Sequence, residues 1–262
     1  MIANLSFAAF PGCKYDQAIQ MGLLIPLSEP ALGRLSVEHV QWVPQTCREQ
    51  LTVEKAVDMA RQFPSTRFRL HANVRVMKNH LLRADLSGYS VFPDYFSEMA
   101  RVSRAINAPA YSAHAGLRAM ATFDEVLAAA RRAADQFGCP VAVEGHYPTP
   151  REVNKYNVST WDEYRALFES GVGYALDLSH LNILSHYSRH RNETLVAEML
   201  ACERCIEVHV SDNDGRGDQH QVLRSEPWWW PLQSHFNPNA IVFSEGNQKR
   251  SSQHVRTEHI NG

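Results

Sequence analysis

The sequence predicts a (β/α)8 TIM barrel, a single α/β domain over residues 1–262 with parallel strands inside and helices outside. Two observations carry that prediction. Eight short β-like segments can be marked, with starts roughly 31 to 41 residues apart, the length of one strand, one helix and two loops. Helix signals fall between them. A third observation weighs against an open doubly wound sheet: no Gly-x-Gly-x-x-Gly or phosphate-loop pattern follows any segment.

The segments lie at 2–8, 37–43, 69–76, 110–115, 141–144, 174–178, 206–210 and 241–244. The intervening stretches 53–63 and 95–106 are amphipathic at helical spacing, and Pro93 suits a first helical turn. Thr122-Phe-Asp-Glu125 reads as a capping box, in which the Thr hydroxyl accepts from the third helical amide and the Glu reaches back. Behind it Phe123, Val126, Leu127, Ala130, Ala134 and Phe137 keep helical spacing, and Gly138 offers a stop. Thr160-Trp-Asp-Glu163 repeats the box before Tyr164, Leu167 and Phe168.

Composition narrows the function classes. Hydrophobic residues at 44% and charged residues at 21% are ordinary globular values and exclude disordered, collagen-like and coiled-coil readings. Lys and Arg number 26 against 28 Asp and Glu, a net charge of −2, so nucleic acid is not expected as a partner. Five cysteines, Cys13, Cys47, Cys139, Cys202 and Cys205, are scattered and odd in number, which points to a reducing, cytoplasmic setting. Cys202-Glu-Arg-Cys205 has redox or zinc spacing but no second pair, and reads as structural. The apolar start lacks preceding basic residues and serves as the first strand, so no signal peptide is expected. No apolar run approaches the roughly 20 residues of a membrane helix.

Histidine is plentiful, at 13 residues, and its placement matters. Barrel active sites lie at the C-terminal ends of strands. There the third strand carries His71, the fourth His114, the fifth Glu144 and His146, and the sixth Asp177 and His180. The seventh gives His209 and then a loop with Asp218 and His220; the eighth ends at Glu245. A lone histidine at a strand end is usually a hydrogen-bonded core residue. Ligand-type residues on six successive strands are another matter. Burying Glu144, Asp177 and Glu245 together uncompensated would cost several kcal/mol per charge, and cations are the simplest compensation.

His71, His114, Glu144, Asp177, His180, His209, Asp218, His220 and Glu245 exceed the capacity of one divalent ion, so one to three ions are expected. Zn, Mn and Fe all accept such a shell. In the one-ion version Glu144, Asp177, His209 and Glu245 hold it and the others surround it.

These motifs resemble the xylose isomerase-like TIM-barrel superfamily, which includes sugar phosphate isomerase/epimerase proteins and the endonuclease IV type of abasic-site nuclease. His114-Ala-Gly, Val-Glu144, Leu-Asp177-x-x-His180, His209-x-x-Asp-Asn-Asp-Gly, Asp218-x-His220 and Glu245 fall in that family's order. The isomerase branch implies one divalent ion on Glu144, Asp177, His209 and Glu245. The nuclease branch implies three zinc ions on all nine positions. A third branch, similar in fold, holds two or three irons and oxidises peptides or small molecules. It usually carries an Asn pair where this chain has Asp177 and His180. The chain also lacks the Gly-x-Gly that usually follows Asp-x-His; Gln221-Val-Leu-Arg-Ser-Glu-Pro-Trp-Trp-Trp-Pro stands there.

The expected chemistry is isomerisation or epimerisation of a small-molecule polar substrate, with Glu144 and Glu245 as the catalytic carboxylates. The alternatives are phosphoester hydrolysis at a multinuclear zinc site and oxidation at a non-haem iron centre; a metal-storing barrel is the non-enzymatic reading. Asn73, Arg75 and His146 are candidates for substrate contacts. Trp228, Trp229 and Trp230 are three aromatics that an extended segment would not bury together, so Trp229 is assigned to the substrate or to a partner. His186 and His190 read as a solvated helix start, and the tail from Lys249 as a solvated end. A homodimer is compatible with such a barrel, though no residue pattern specifies one.

Overall fold

The computed structural model describes residues 1–43, 49–78, 84–149, 152 and 154–249. Eight strands close a barrel: β1 (Ala3–Ser6), β2 (Ser36–Trp42), β3 (Arg67–His71), β4 (Tyr111–His114), β5 (Val141–Glu144), β6 (Tyr174–Asp177), β7 (Cys205–Val210) and β8 (Ile241–Ser244). Each pairs in parallel with its neighbours, and β1 closes the ring between β8 and β2. The expected fold is therefore the observed one. Every expected strand is present, with ends shifted by a few residues.

The outer helices are α1 (Tyr15–Gly22), α2 (Val53–Gln62), α3 (Pro93–Ala105), α4 (Phe123–Phe137), α5 (Trp161–Glu169), α6 (Leu178–Ser188) and α7 (Glu193–Ala201). The α4 cap is as expected: Glu125 N–H donates to Thr122 Oγ1 at 3.3 Å, and Thr122 N–H to Glu125 Oε2 at 2.7 Å. Gly138 ends the helix in the left-handed region. Below that cap Val126, Leu127, Ala130, Ala133 and Phe137 are buried in the core cluster. The second box differs. Thr160 Oγ1 accepts from Glu163 N–H, but Glu163 reaches back to Ser159 N–H at 2.9 Å rather than to Thr160 N–H.

Two expectations need correction here. His186 lies in the last turn of α6, not at a helix start, because α6 begins directly after β6 with Asp177 as its N-cap; His186 and His190 are both exposed. Trp229 is buried, at 1% exposure, with its ring tilted against those of Trp230 and Phe236. The chain there coils into a 3-10 helix (Trp230–His235) instead of extending, which lets the indole reach the core. The tail beyond Lys249 and Cys47 lie outside the described residues. Cys202 caps α7 and Cys205 opens β7, both as free thiols. No described helix is long and apolar enough to cross a membrane.

Candidate metal centre

Strand register brings the ligand-type residues to one level. His114 lies opposite Glu144 across β4 and β5, and Asp177 opposite His209 across β6 and β7. In-phase parallel strands of a barrel turn such residues to the same interior layer. Glu144 is at the centre. Its Oε2 lies 2.7 Å from His71 Nε2 and 3.3 Å from His209 Nδ1; its Oε1 lies 3.2 Å from His114 Nε2.

The remaining residues form a chain around the rim. His180 Nε2 lies 3.2 Å from Asp177 Oδ2 and 3.5 Å from Asp218 Oδ2. His220 Nε2 stands 2.9 Å from that same Asp218 oxygen, and its Nδ1 3.6 Å from Glu245 Oε2. Glu245 Oε1 is 3.9 Å from His209 Nδ1. All nine expected ligands thus come together, and His71, His114, Glu144, Asp177, His180, Asp218, His220 and Glu245 line one cavity of about 440 Å³. His209 lies behind it, fully buried.

The far nitrogen of four of these imidazoles is held. His71 Nδ1 faces Ala72 O at 3.2 Å, and His180 Nδ1 faces Gly145 O at 3.0 Å. Asp85 Oδ1 lies 3.6 Å from His114 Nδ1, and Glu207 Oε2 3.1 Å from His209 Nε2. A carbonyl or carboxylate only accepts, so these contacts favour a hydrogen on the far nitrogen and leave the rim nitrogen as the one that would ligate an ion. His180 Nδ1 also comes within 3.7 Å of Glu144 Oε1, but its hydrogen points at Gly145, so Nε2 is its donor atom.

The residues fit divalent ions on three counts. Buried polar atoms without a hydrogen-bond partner cluster here: Asp177 Oδ2, His209 Nδ1, Asp218 Oδ1 and His220 Nδ1. Two donors each about 2.1 Å from one ion stand about 3.0–3.4 Å apart, the spacing of the Glu144–His114, Glu144–His209 and Asp177–His180 pairs. Three triads bring their donor atoms within 4.8 Å of one another: His71–Glu144–His209, His114–Glu144–His180 and Asp177–His209–Glu245. Imidazole and carboxylate donors suit zinc, manganese or iron.

Without ions the charges rearrange among themselves. Burial alone would raise the Glu144 carboxyl, but His114, His209 and His71 outweigh it and hold it well below its ordinary value. Burial likewise opposes a charged His180, yet Asp177 and Asp218 push it up to about 9, and Asp218 pushes His220 up to about 10. Glu245 moves upward: burial raises it and the Asp177 and Glu144 charges add to that, against His209 and His220.

The assigned substrate residues divide. Asn73 lines the cavity, held by Asp85 Oδ1 at 2.7 Å and by Ala84 N–H. Arg75 is not among the lining residues; its guanidinium donates to Met77 and Lys78 carbonyls. His146 stacks on Tyr156 at 4.1 Å and on His114 at 4.5 Å, behind the cavity wall. Trp229 lines a separate cleft beside Ser211 and Pro227, so its assignment to this site is corrected. Sequence reasoning missed Asp85 and Glu207. Glu207 had a signal: it is two residues before His209 and shares its strand face.

No family model matches the chain, and no curated protein matches it. Solved structures do. A D-tagatose 3-epimerase-like protein has a TM-score of 0.63 at 11% identity, over 99% of this chain and 97% of that one. An AP endonuclease, family 2, from Brucella melitensis has 0.61 at 15%, over 94% and 93%. A xylose isomerase domain containing protein from Salmonella typhimurium has 0.57 at 11%, over 95% and 89%. In fold, the chain is a TIM barrel similar to these structures.

Proposed function

We propose that this chain is a metal-dependent barrel enzyme acting on a small polar substrate, with isomerase/epimerase-like chemistry. The observation that carries the reading is Glu144. Its two carboxylate oxygens face different histidines, with the Asp177–His209–Glu245 triad alongside, at the floor of a cavity of metabolite size. Divalent ions held there would polarise adjacent substrate oxygens and ease proton removal from the carbon between them. Asn73, Gln219 and Asn247 line the cavity and offer amide groups to hydroxyls, while Phe7, Pro11 and Val43 give it an apolar wall. Glu245, which lines the cavity as a member of that triad, is the residue assigned to carry that proton. Likeness to an epimerase-like protein supports the reading.

A second reading is phosphoester hydrolysis at a multinuclear site. The His180–Asp218–His220 cluster favours it, because it adds a further donor set beyond the two groups that share Glu144. The likeness to an AP endonuclease, family 2, points the same way.

Protein purified without added metal separates these. About one Mn or Zn per chain, with solvent deuterium entering a ketose or 2-keto acid, supports the first reading. About three zinc ions with phosphodiester cleavage supports the second. Two or three irons with oxygen consumption contradicts both.

A further inference from the structure

Directly beneath the ligand layer, the barrel interior is polar and charged. Gln41 of β2, Arg69 of β3 and Glu207 of β7 are all buried there. Arg69 Nη1 donates to Glu207 Oε1 at 2.9 Å, and Gln41 Nε2 donates to Glu207 Oε2 at 3.1 Å. Ser6 Oγ donates to Gln41 Oε1 at 2.9 Å, which fixes the end of the amide that faces Glu207. A buried ion pair adds little net stability over apolar packing of the same volume, because desolvating two charges cancels most of their attraction. Its placement calls for another reason.

That reason lies one strand pleat away. Glu207 and His209 share a face of β7, and Glu207 Oε2 lies 3.1 Å from His209 Nε2. The carboxylate oxygen only accepts, so Nε2 carries the hydrogen. Gln41 Nε2 also comes within 2.9 Å of His209 Nε2. With the hydrogen on Nε2 that contact is not a hydrogen bond, and the two amide hydrogens go to Glu207 Oε2 and to Ser112 Oγ at 3.4 Å. With Nε2 so occupied, Nδ1 is the nitrogen left to ligate an ion. That atom has no hydrogen-bond partner and faces Glu144 and Glu245.

We infer that Glu207 is a positioning residue for the metal centre: it holds the hydrogen on Nε2 of His209 so that Nδ1 is the ligand, and Arg69 and Gln41 hold Glu207 in place. The inference rests on the metal-dependent reading above. It assigns to the Arg69–Glu207 pair a task in metal affinity, carried by a residue that touches no ion.

The test uses zinc alone, titrated into metal-free protein against a chromophoric chelator. Glu207→Gln keeps the volume but can donate to Nε2 and so favours the wrong tautomer. Its zinc dissociation constant is expected to rise by about 10–100-fold, the usual effect of removing the partner of a ligating histidine. Tyr174→Phe, on the neighbouring strand β6, is the control: it removes a buried hydrogen bond to Met199 O of α7 and leaves the rim alone, and its zinc affinity is expected to be unchanged. Should Glu207→Gln fail to fold, the charge-balanced double variant Arg69→Met, Glu207→Gln takes its place with the same expected loss. Histidine nitrogen NMR on zinc-loaded wild type gives a readout needing no variant: Nε2–H with Nδ1 coordinated is expected for His209. A Glu207→Gln constant within about twofold of wild type, or coordination through Nε2, overturns the inference. Wild type that binds none of zinc, manganese or ferrous iron overturns the metal-dependent reading itself, a result distinct from the other two.

Discussion

Asp177 serves His180 with both of its carboxylate oxygens. Oδ1 caps α6, accepting from Ser179 N–H at 2.7 Å and His180 N–H at 3.1 Å; Oδ2 faces the His180 imidazole at 3.2 Å. One side chain fixes the backbone that carries a ligand and supplies the neighbouring ligand atom. Asp177→Asn and Asp177→Ala both remove the charge, but only Ala removes the cap. Both variants are expected to lose zinc binding, and the Ala variant to be less stable than the Asn variant by about 1 kcal/mol. Denaturant unfolding of the metal-free proteins, followed by zinc titration, checks both parts; an Asn variant with wild-type zinc affinity would remove Asp177 from the ligand set.

The glycine of His114-Ala-Gly has a structural reason. Gly116 has φ +88°, and a Cβ there would stand 2.2 Å from Ser87 Oγ and 2.8 Å from Asp85 Cβ. Gly138 has a similar φ of +70° but open space around it. Both changes to Ala strain the backbone, at about 1 kcal/mol or more. Gly116→Ala must also push away the loop that brings Asp85 to His114. It is expected to be more destabilising than Gly138→Ala and to weaken zinc binding, whereas Gly138→Ala leaves zinc binding intact. Equal stabilities and equal zinc affinities would show that the crowding is relieved without moving Asp85.

His39 is expected to weaken the metal-free barrel in acid. Its burial, with the Arg69 charge beside it, lowers its pKa to about 4, and Arg69 Nε donates to its Nδ1 at 3.3 Å. Below an unfolded value of about 6.5 the unfolded chain takes a proton that the folded chain refuses until about 4, so stability falls as pH drops through that window. His39→Gln keeps an acceptor and removes the titration. Its loss of stability between those two pH values is expected to be smaller than that of wild type; parallel curves would show that His39 charges freely in the fold.

The barrel was legible because strand spacing and capping signals are local. Thr122 and Glu125 cap α4 within four residues, and nothing distant overrides them. The rim was legible because ligand types recur at the ends of six successive strands. What stayed hidden depends on contacts across the barrel. Asp85 reaches His114 only through the fold, from a short 3-10 turn with no strand or helix pattern of its own. Glu207 reads as one charge in an otherwise apolar strand until Arg69, 138 positions away in sequence, is seen against it. Trp229 misled for the opposite reason: local coiling, invisible in three identical residues, carries it inward.

The central claim is that the rim grips cations, and Glu144 is where it can be tested most directly. Elemental analysis of wild type and Glu144→Ala, both purified without added metal and then offered zinc, manganese or ferrous iron, is the measurement. Wild type is expected to retain at least one divalent ion per chain, and Glu144→Ala to lose it while keeping the barrel's circular dichroism. A wild type that retains none of the three metals, or a Glu144→Ala chain that holds them at the same stoichiometry, would contradict the account.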